Sequence, residues 1–367
     1  MSTFITRLDS EGTGPRLAVK DLIDVEGVPT TAGSMAVADS AEPARADAPC
    51  MAGARAAGAR VVGKVNLHEL AFGATGVNQW FGTPVNPLDA TLVPGGSSSG
   101  SAVAVATDEA DVAYGSDTGG SVRIPSACCG TTGLKTTHGR ISIEGVWPLA
   151  PSLDTVGPMA RDVAGVVLGM QLLEPGFTVA ASPPSVLGRY RLPETDPAID
   201  EAVDRALALS ELEVLDIDLP GWITAMAANS GILLAEAWAS DRHLLDRRER
   251  IGPETAIRIE LGQGIDGNAV AQAMAGQKSW QQELAEVFTR VEAIALPTMK
   301  TFPVPIEGAN EFDLTTATGP VNLAGTPALA LPIPSGGRLP TSLQLVGPHN
   351  SEDLLLAAGA VIEAAVS

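Results

Sequence analysis

Apolar and polar side chains alternate through residues 16 to 25 (RLAVKDLIDV), the two-residue period of a half-buried strand, before Gly27 and Pro29 break the run. Lys20 lies near the end of that strand. Residues 44 to 58 are rich in alanine, carry spaced Arg45, Asp47 and Arg55, and stop at a glycine, which predicts a helix entering the strand RVVGKV at 60 to 65. A further helix is expected to start at Asn66 (NLHELAF), followed by a long loop from Gly73 to Gly96 punctuated by Gly82, Pro84, Pro87 and Pro94. The cluster GGSSSGSAVAVA then passes straight into a helix-compatible alanine and valine run. DVAYGSD reads as a strand that ends on a second cluster, DTGGSVR, and residues 130 to 160 form a loop-rich stretch.

From Asp196 onward helical patterns dominate. Val270, Met274, Gln277, Trp280, Leu284, Val287 and Val291 trace one helical face. AIALP at 293 to 297, ALALPI and SLQLVG read as buried strands. Strands and helices alternate to the end without an internal repeat or low-complexity linker, which predicts an α/β architecture around one layered sheet and no domain boundary.

Hydrophobic residues make up 45% of the 367 and charged residues 18%, ample apolar material for a large core. The 23 basic and 43 acidic residues leave a formal charge of -20, which repels phosphate backbones and anionic headgroups. The densest basic run, Arg242 to Arg250 (RHLLDRRER), holds two acids of its own and reads as a solvated helix face. No nucleic-acid or membrane partner is therefore expected. Cys128 and Cys129 are adjacent, too close for an ordinary disulfide, and with Cys50 are too few for a cysteine metal cage. The four histidines lack metal-ligand spacing, so no metal is expected. The N-terminus MSTFITRLDSEG has no basic region followed by an apolar one, which reads as a cytoplasmic protein.

The chemistry is concentrated in GGSSSGS at 95 to 101 and GSDTGGSVR at 115 to 123, where small residues let backbone N–H groups approach a ligand. Either cluster alone suits a tight turn or a helix N-cap. Together with AVKDLIDVEGVPTTAGS at 18 to 34, SLDTVGPMARDV at 152 to 163, NLAGTPALALP and LQLVGP, they make the chain resemble the amidase signature family. The likeness spans almost the whole chain and is weakest between about 175 and 290. It implies one domain over 1–367, α/β with a mixed central sheet covered by helices on both faces, and a variable, substrate-shaping helical region at about 175–290.

Carried over by motif, the resemblance makes Ser121 the acyl-enzyme nucleophile, Ser97 the middle serine that follows a cis peptide bond, and Lys20 the base. The N–H groups of Thr118, Gly119, Gly120 and Ser121 would form the oxyanion hole. Asp117 and Arg123 would pair to hold the loop, with a partly exposed ion pair as the plainer reading, and Ser98 would hydrogen-bond to the triad or cap a helix. A serine hydroxyl needs a base within reach, and lysine serves only when burial keeps it neutral. No cofactor is required.

Other readings each lack a partner. GSSSG at 96 to 100 satisfies GxSxG, with Ser98 as nucleophile and His243 or His349 as base, but Pro94, Gly95 and Gly96 stand where the preceding strand should be. GARVVGKV resembles a phosphate loop but has Val65 where magnesium needs a hydroxyl. Cys128 and Cys129 read as packing residues, and His68, Glu69 and His138 as structural or pocket-lining. The A-type amidotransferase subunits share the signature but are usually longer. Only 19 residues precede Lys20 and the middle region is short, so a small, polar or compact amide (short-chain, aryl or carbamoyl) is the expected substrate, with Trp147, Leu149 and Pro151 either lining its pocket or structural. In relatives the N-terminal helices contribute to oligomer contacts, so any homodimer would use another surface.

Overall fold

The computed structural model of the protein describes residues 3–9, 11–308 and 312–367. Its strands are β1 (Phe4–Arg7), β2 (Arg16–Lys20), β3 (Arg60–Val65), β4 (Val112–Asp117), β5 (Thr132–Lys135), β6 (Thr155–Ala160), β7 (Val186–Tyr190), β8 (Glu213–Ile217), β9 (Ala293–Pro297), β10 (Ala328–Ile333) and β11 (Thr341–Val346). Among the described residues they form one mixed sheet, ordered β1-β3-β2-β4-β6-β5-β10-β11-β9-β7-β8. β2 runs parallel to β3 and β4, the middle of the sheet from β4 to β9 is antiparallel, and β7 runs parallel to β8 and β9. Helices pack on both faces of this single domain.

β2 is an interior strand between β3 and β4 with both of its faces buried, and the expected half-buried alternation is replaced by near-complete burial. Its two-residue period still sorts the side chains. Leu17 and Val19 join the core under the helices Val163–Leu173 and Glu352–Val366, whereas Ala18 packs on the opposite face with the helix Ser99–Ala106. Lys20 falls on that second face, at the strand's C-terminal end. The strand stops there because the chain turns at once: Leu22 N–H donates to the Lys20 carbonyl at 2.7 Å.

Three expectations are corrected. The helix expected over residues 44 to 58 contracts to Ala52–Ala56 behind a 3₁₀ turn at Pro49–Met51, because Pro49 has no N–H to donate and holds its predecessor out of the helical region. NLHELAF forms only a 3₁₀ turn over Glu69–Ala71, with Leu70 and Ala71 at positive φ. On the helix Gly267–Val287 the buried side is Ala273, Trp280, Leu284 and Val287, while Met274 is 51% exposed, one position off the stripe.

Arg242–Arg250 forms a 3₁₀ segment that buries Leu244 and engages its arginines: Arg250 with Asp39, Arg248 with Glu260, Arg247 with the Ala36 carbonyl. Cys50, Cys128 and Cys129 are free and buried. No helix among the described residues is long and apolar enough to cross a membrane.

Candidate active site

The two glycine and serine clusters meet at the C-terminal end of β4. Ser98 N–H donates to the Ser121 carbonyl at 3.1 Å, and Ser98 Oγ donates to the Ser116 carbonyl at 3.2 Å, so the middle of one cluster is stitched to two points of the other. The Gly96–Ser97 peptide is cis, and His68 N–H holds the Ser97 carbonyl at 3.0 Å. Gly96 is required by proximity, since a Cβ there would lie 2.6 Å from the Gly76 nitrogen. Directly beyond these residues the small side chains of Ser99–Ala106 run as a buried helix across β4.

Lys20 reaches this junction from the neighbouring strand. Its side chain is wholly buried, and Nζ donates to Ser97 Oγ at 2.7 Å and to Ser116 Oγ at 2.8 Å, with the Ser116 carbonyl at 3.5 Å. Asp21, next in sequence, points the other way and pairs with Lys64 at 3.0 Å. Burial pulls the Lys20 ammonium from its ordinary 10.5 down to about 7, against the opposing charges of Asp117 and Asp154. A lysine so placed is an available base at neutral pH. Ser116 is a site residue that sequence reasoning misses; its only signal is its place two residues before Thr118, where a strand residue preceding the turn faces Lys20.

Asp117 and Arg123 form a doubly hydrogen-bonded ion pair, Nε to Oδ2 at 3.0 Å and Nη2 to Oδ1 at 2.9 Å. Both side chains are 0% exposed, which discards the partly exposed surface pair. Burial resists the Asp117 charge, but Arg123 and the amide of Asn322 hold it well below the usual carboxylate range. Arg123 also donates to Gln344 Oε1 at 2.6 Å, Asn322 Oδ1 at 2.5 Å and the Thr318 carbonyl at 3.2 Å, binding the turn to the C-terminal part of the sheet.

The same carboxylate corrects the expected oxyanion donors. Gly120 N–H is directed at Asp117 Oδ1 at 2.8 Å, so of the four expected N–H groups this one is spent within the turn rather than offered to a ligand. Gly120 is glycine for a separate reason: its φ is 129° and a Cβ would stand 2.3 Å from Thr318 Oγ1. That hydroxyl donates to the Gly119 carbonyl at 2.6 Å, and Thr118 Oγ1 donates to Asp154 at 2.6 Å. The turn is thus tied from both sides.

Thr118, Gly119 and Ser121 open onto a cavity of about 630 Å³ that is also lined by Phe72, Leu149, Leu233 and Ile306. Ser121 is 8% exposed. Leu149 meets the expectation of a pocket residue; Trp147 instead donates to Asp241 at 3.1 Å beside a second cavity, and Pro151 lies outside, its carbonyl bound to His138 Nε2 at 3.1 Å. His243 lines that second cavity rather than facing Ser98. His349 Nε2 lies near Gly325. Glu69 is a buried brace between loops, accepting from Ser34, Trp80 and Gly252 at 2.7, 2.9 and 2.8 Å. Cys128 is buried against Met299, and burial pushes its thiol up to about 12.

Comparison with known proteins extends the likeness beyond these motifs. The family model described as Amidase matches residues 13–175 and 189–356. The A-type subunit of glutamyl-tRNA(Gln) amidotransferase from Halobacterium salinarum is 34% identical over 430 aligned positions, spanning 99% of this chain and 99% of the relative. A solved amidase superposes with a TM-score of 0.90 at 30% identity, covering 96% of this chain and 85% of its own. The corresponding amidotransferase subunit from Thermotoga maritima superposes with a TM-score of 0.82 at 28% identity, covering 98% and 86%. Sequence and fold agree over nearly the full length, with one break in the family match at residues 176–188: the chain belongs to the amidase family, enzymes of amide C–N hydrolysis or amidotransfer.

Proposed function

We propose that the protein is an amidohydrolase that cleaves a small carboxylic or carbamoyl amide through a Ser121 acyl-enzyme. Ser121 Oγ bonds to the substrate carbonyl carbon while its proton passes to Ser97 Oγ and the Ser97 proton to Lys20 Nζ. The C–N bond then breaks as the proton returns by the same relay to the leaving nitrogen, releasing ammonia or an amine. Water attacks the ester in a second cycle, giving the acid and restoring Ser121. The N–H groups of Thr118, Gly119 and Ser121 face the developing oxyanion, each such donor being worth about 3 to 4 kcal/mol. Asp117 and Arg123 position this turn, and Ser116 and Ser98 position the relay.

The observation that carries the proposal is the buried Lys20 amine, bound to the Ser97 and Ser116 hydroxyls and drawn down to about 7. Nothing in the relay needs histidine, metal or cofactor. The cavity of about 630 Å³ is of the size that takes small molecules. The proposal places the enzyme in the cytoplasm, working on a free amide.

A second reading is favoured by the names of the amidotransferase relatives: the same chemistry would release ammonia within a complex. Ammonia release from a panel of small amides by the purified chain separates the two. Turnover by the chain alone, lost in Ser121→Ala, supports the hydrolase; release only in the presence of a partner protein would assign it to such a complex.

A further inference from the structure

The helix Trp222–Asp241 roofs the cavity with Met226, Asn229, Ser230 and Leu233, spaced by three, one and three residues so that they share one face. Leu233 Cδ1 lies 3.7 Å from where a Cβ on Gly119 would stand, which sets this face over the turn that carries Ser121. Most of the roof is apolar or satisfied. Ser230 Oγ returns its proton to the Met226 carbonyl at 3.1 Å.

Asn229 is different. It is 5% exposed, and its Oδ1 is buried without a hydrogen-bond partner among the described residues. Its Nδ2 lies 3.2 Å from the position of a Cβ on Gly319, so the glycine leaves that end of the carboxamide uncovered. Gly319 is a cavity residue as well, and it follows Thr318, whose hydroxyl holds the Gly119 carbonyl. A buried amide acceptor left unpaired is rare in folded proteins because its desolvation is uncompensated. Asn229 itself belongs to the lining of the reaction chamber, with its carboxamide set against Gly319 of the same lining.

We infer that Asn229 determines substrate specificity: its carboxamide pairs with a second, uncharged carboxamide or ureido group carried by the amide that Ser121 attacks. A carboxamide presents an acceptor and a donor side by side, and the group that matches both at once is another amide or a urea. Charged alternatives fit less well. Among the described residues the charged side chains of the lining, Glu254 and Arg258, belong to the helix Pro253–Leu261 rather than to the helix that carries Asn229, and Glu254 is exposed. If a water pairs with Asn229 before substrate arrives, a substrate N–H replaces its hydrogen bond and a methyl does not, so the preference has the same sign.

The inference rests on Ser121 being the nucleophile, and binding separates the two claims. In Ser121→Ala protein, calorimetry compares succinamide with 4-methylpentanamide, in which an isopropyl group of similar shape replaces the second carboxamide. The expected result is about tenfold or tighter binding of succinamide, a ratio that falls to about one when Asn229→Leu is added. Thermal unfolding of both proteins accompanies the titrations, because a merely structural Asn229 would weaken both ligands together and leave the ratio intact. Equal binding of the two amides to Ser121→Ala, or an unchanged ratio in the double variant, overturns the specificity role. Heat of continuing hydrolysis in Ser121→Ala would instead sink the serine mechanism, with the ratio still reporting on Asn229.

Discussion

Replacing Lys20 by methionine should sharply lower activity and, at neutral pH, stabilise the fold. Lys20 is 0% exposed and its amine falls from 10.5 to about 7. Its folded value is the lower one, so between these pH values the unfolded chain binds the extra proton, and stability rises with pH. At about 1.4 kcal/mol per pH unit, holding this lysine in the fold costs about 4 kcal/mol at pH 7 and under about 1 kcal/mol at pH 10. Methionine removes that cost but leaves the Ser97 and Ser116 hydroxyls without their donor, a loss of about 1 kcal/mol each. Lys20→Met should therefore be about 2 kcal/mol more stable than the parent at pH 7 and about 1 kcal/mol less stable at pH 10. Urea unfolding at the two pH values, with the slope unchanged, measures both numbers. Amide turnover should fall by about 10² to 10⁴. A variant destabilised equally at both pH values would refute the reasoning, because it would mean that Lys20 is not neutralised by burial.

Three further outcomes follow from the same geometry. In the parent enzyme kcat/KM should fall about tenfold per pH unit below pH 7 and level off above it as Lys20 loses its proton; a limb centred near 10 would exclude a neutral lysine base. Arg123→Met leaves the buried Asp117 carboxylate without its counter-charge and should cost about 3 to 5 kcal/mol in urea unfolding, with loss of turnover; a cost below about 1 kcal/mol would show that the clamp does not hold the turn. Asp241 is buried, and burial, against the Trp147 hydrogen bond and with help from Asp154 and Glu69, pushes its carboxyl up to about 7. Its folded value is the higher one, so stability falls as pH rises from about 4 to 7. Asp241→Asn should match the parent at pH 4 and exceed it by about 4 kcal/mol at pH 8, which thermal unfolding across pH would detect.

How far the molecule was readable from its sequence depends on the range of the interaction concerned. Short apolar runs such as AIALP and ALALPI became β9 and β10 because a buried strand is specified by its own residues. The small-residue clusters and Lys20 were legible because each is demanded by close backbone approach or by the need for a base. What failed was nonlocal or positional. Ala-rich composition from 44 to 58 suggested a longer helix than Pro49 permits, and Met274 lies one position from the stripe that Ala273 and Trp280 fill. Gly120 N–H was lost as an oxyanion donor to Asp117, three residues earlier in the chain, because the turn curls back on that carboxylate. Asn229 carried no signal, lying in a helical region without family motifs, where only the packing against Gly319 and the cavity makes its carboxamide conspicuous.

The serine relay is tested most directly by covalent capture. The purified chain is treated with a fluorophosphonate at pH 8, where Lys20 is largely neutral, and the adduct is mapped by peptide mass spectrometry. A single phosphonylated residue at Ser121, formed slowly or not at all in Lys20→Met, is the predicted result. Labelling at Ser97, Ser98 or any other residue, or undiminished labelling of Ser121 without Lys20, would contradict the relay from Ser121 through Ser97 to Lys20.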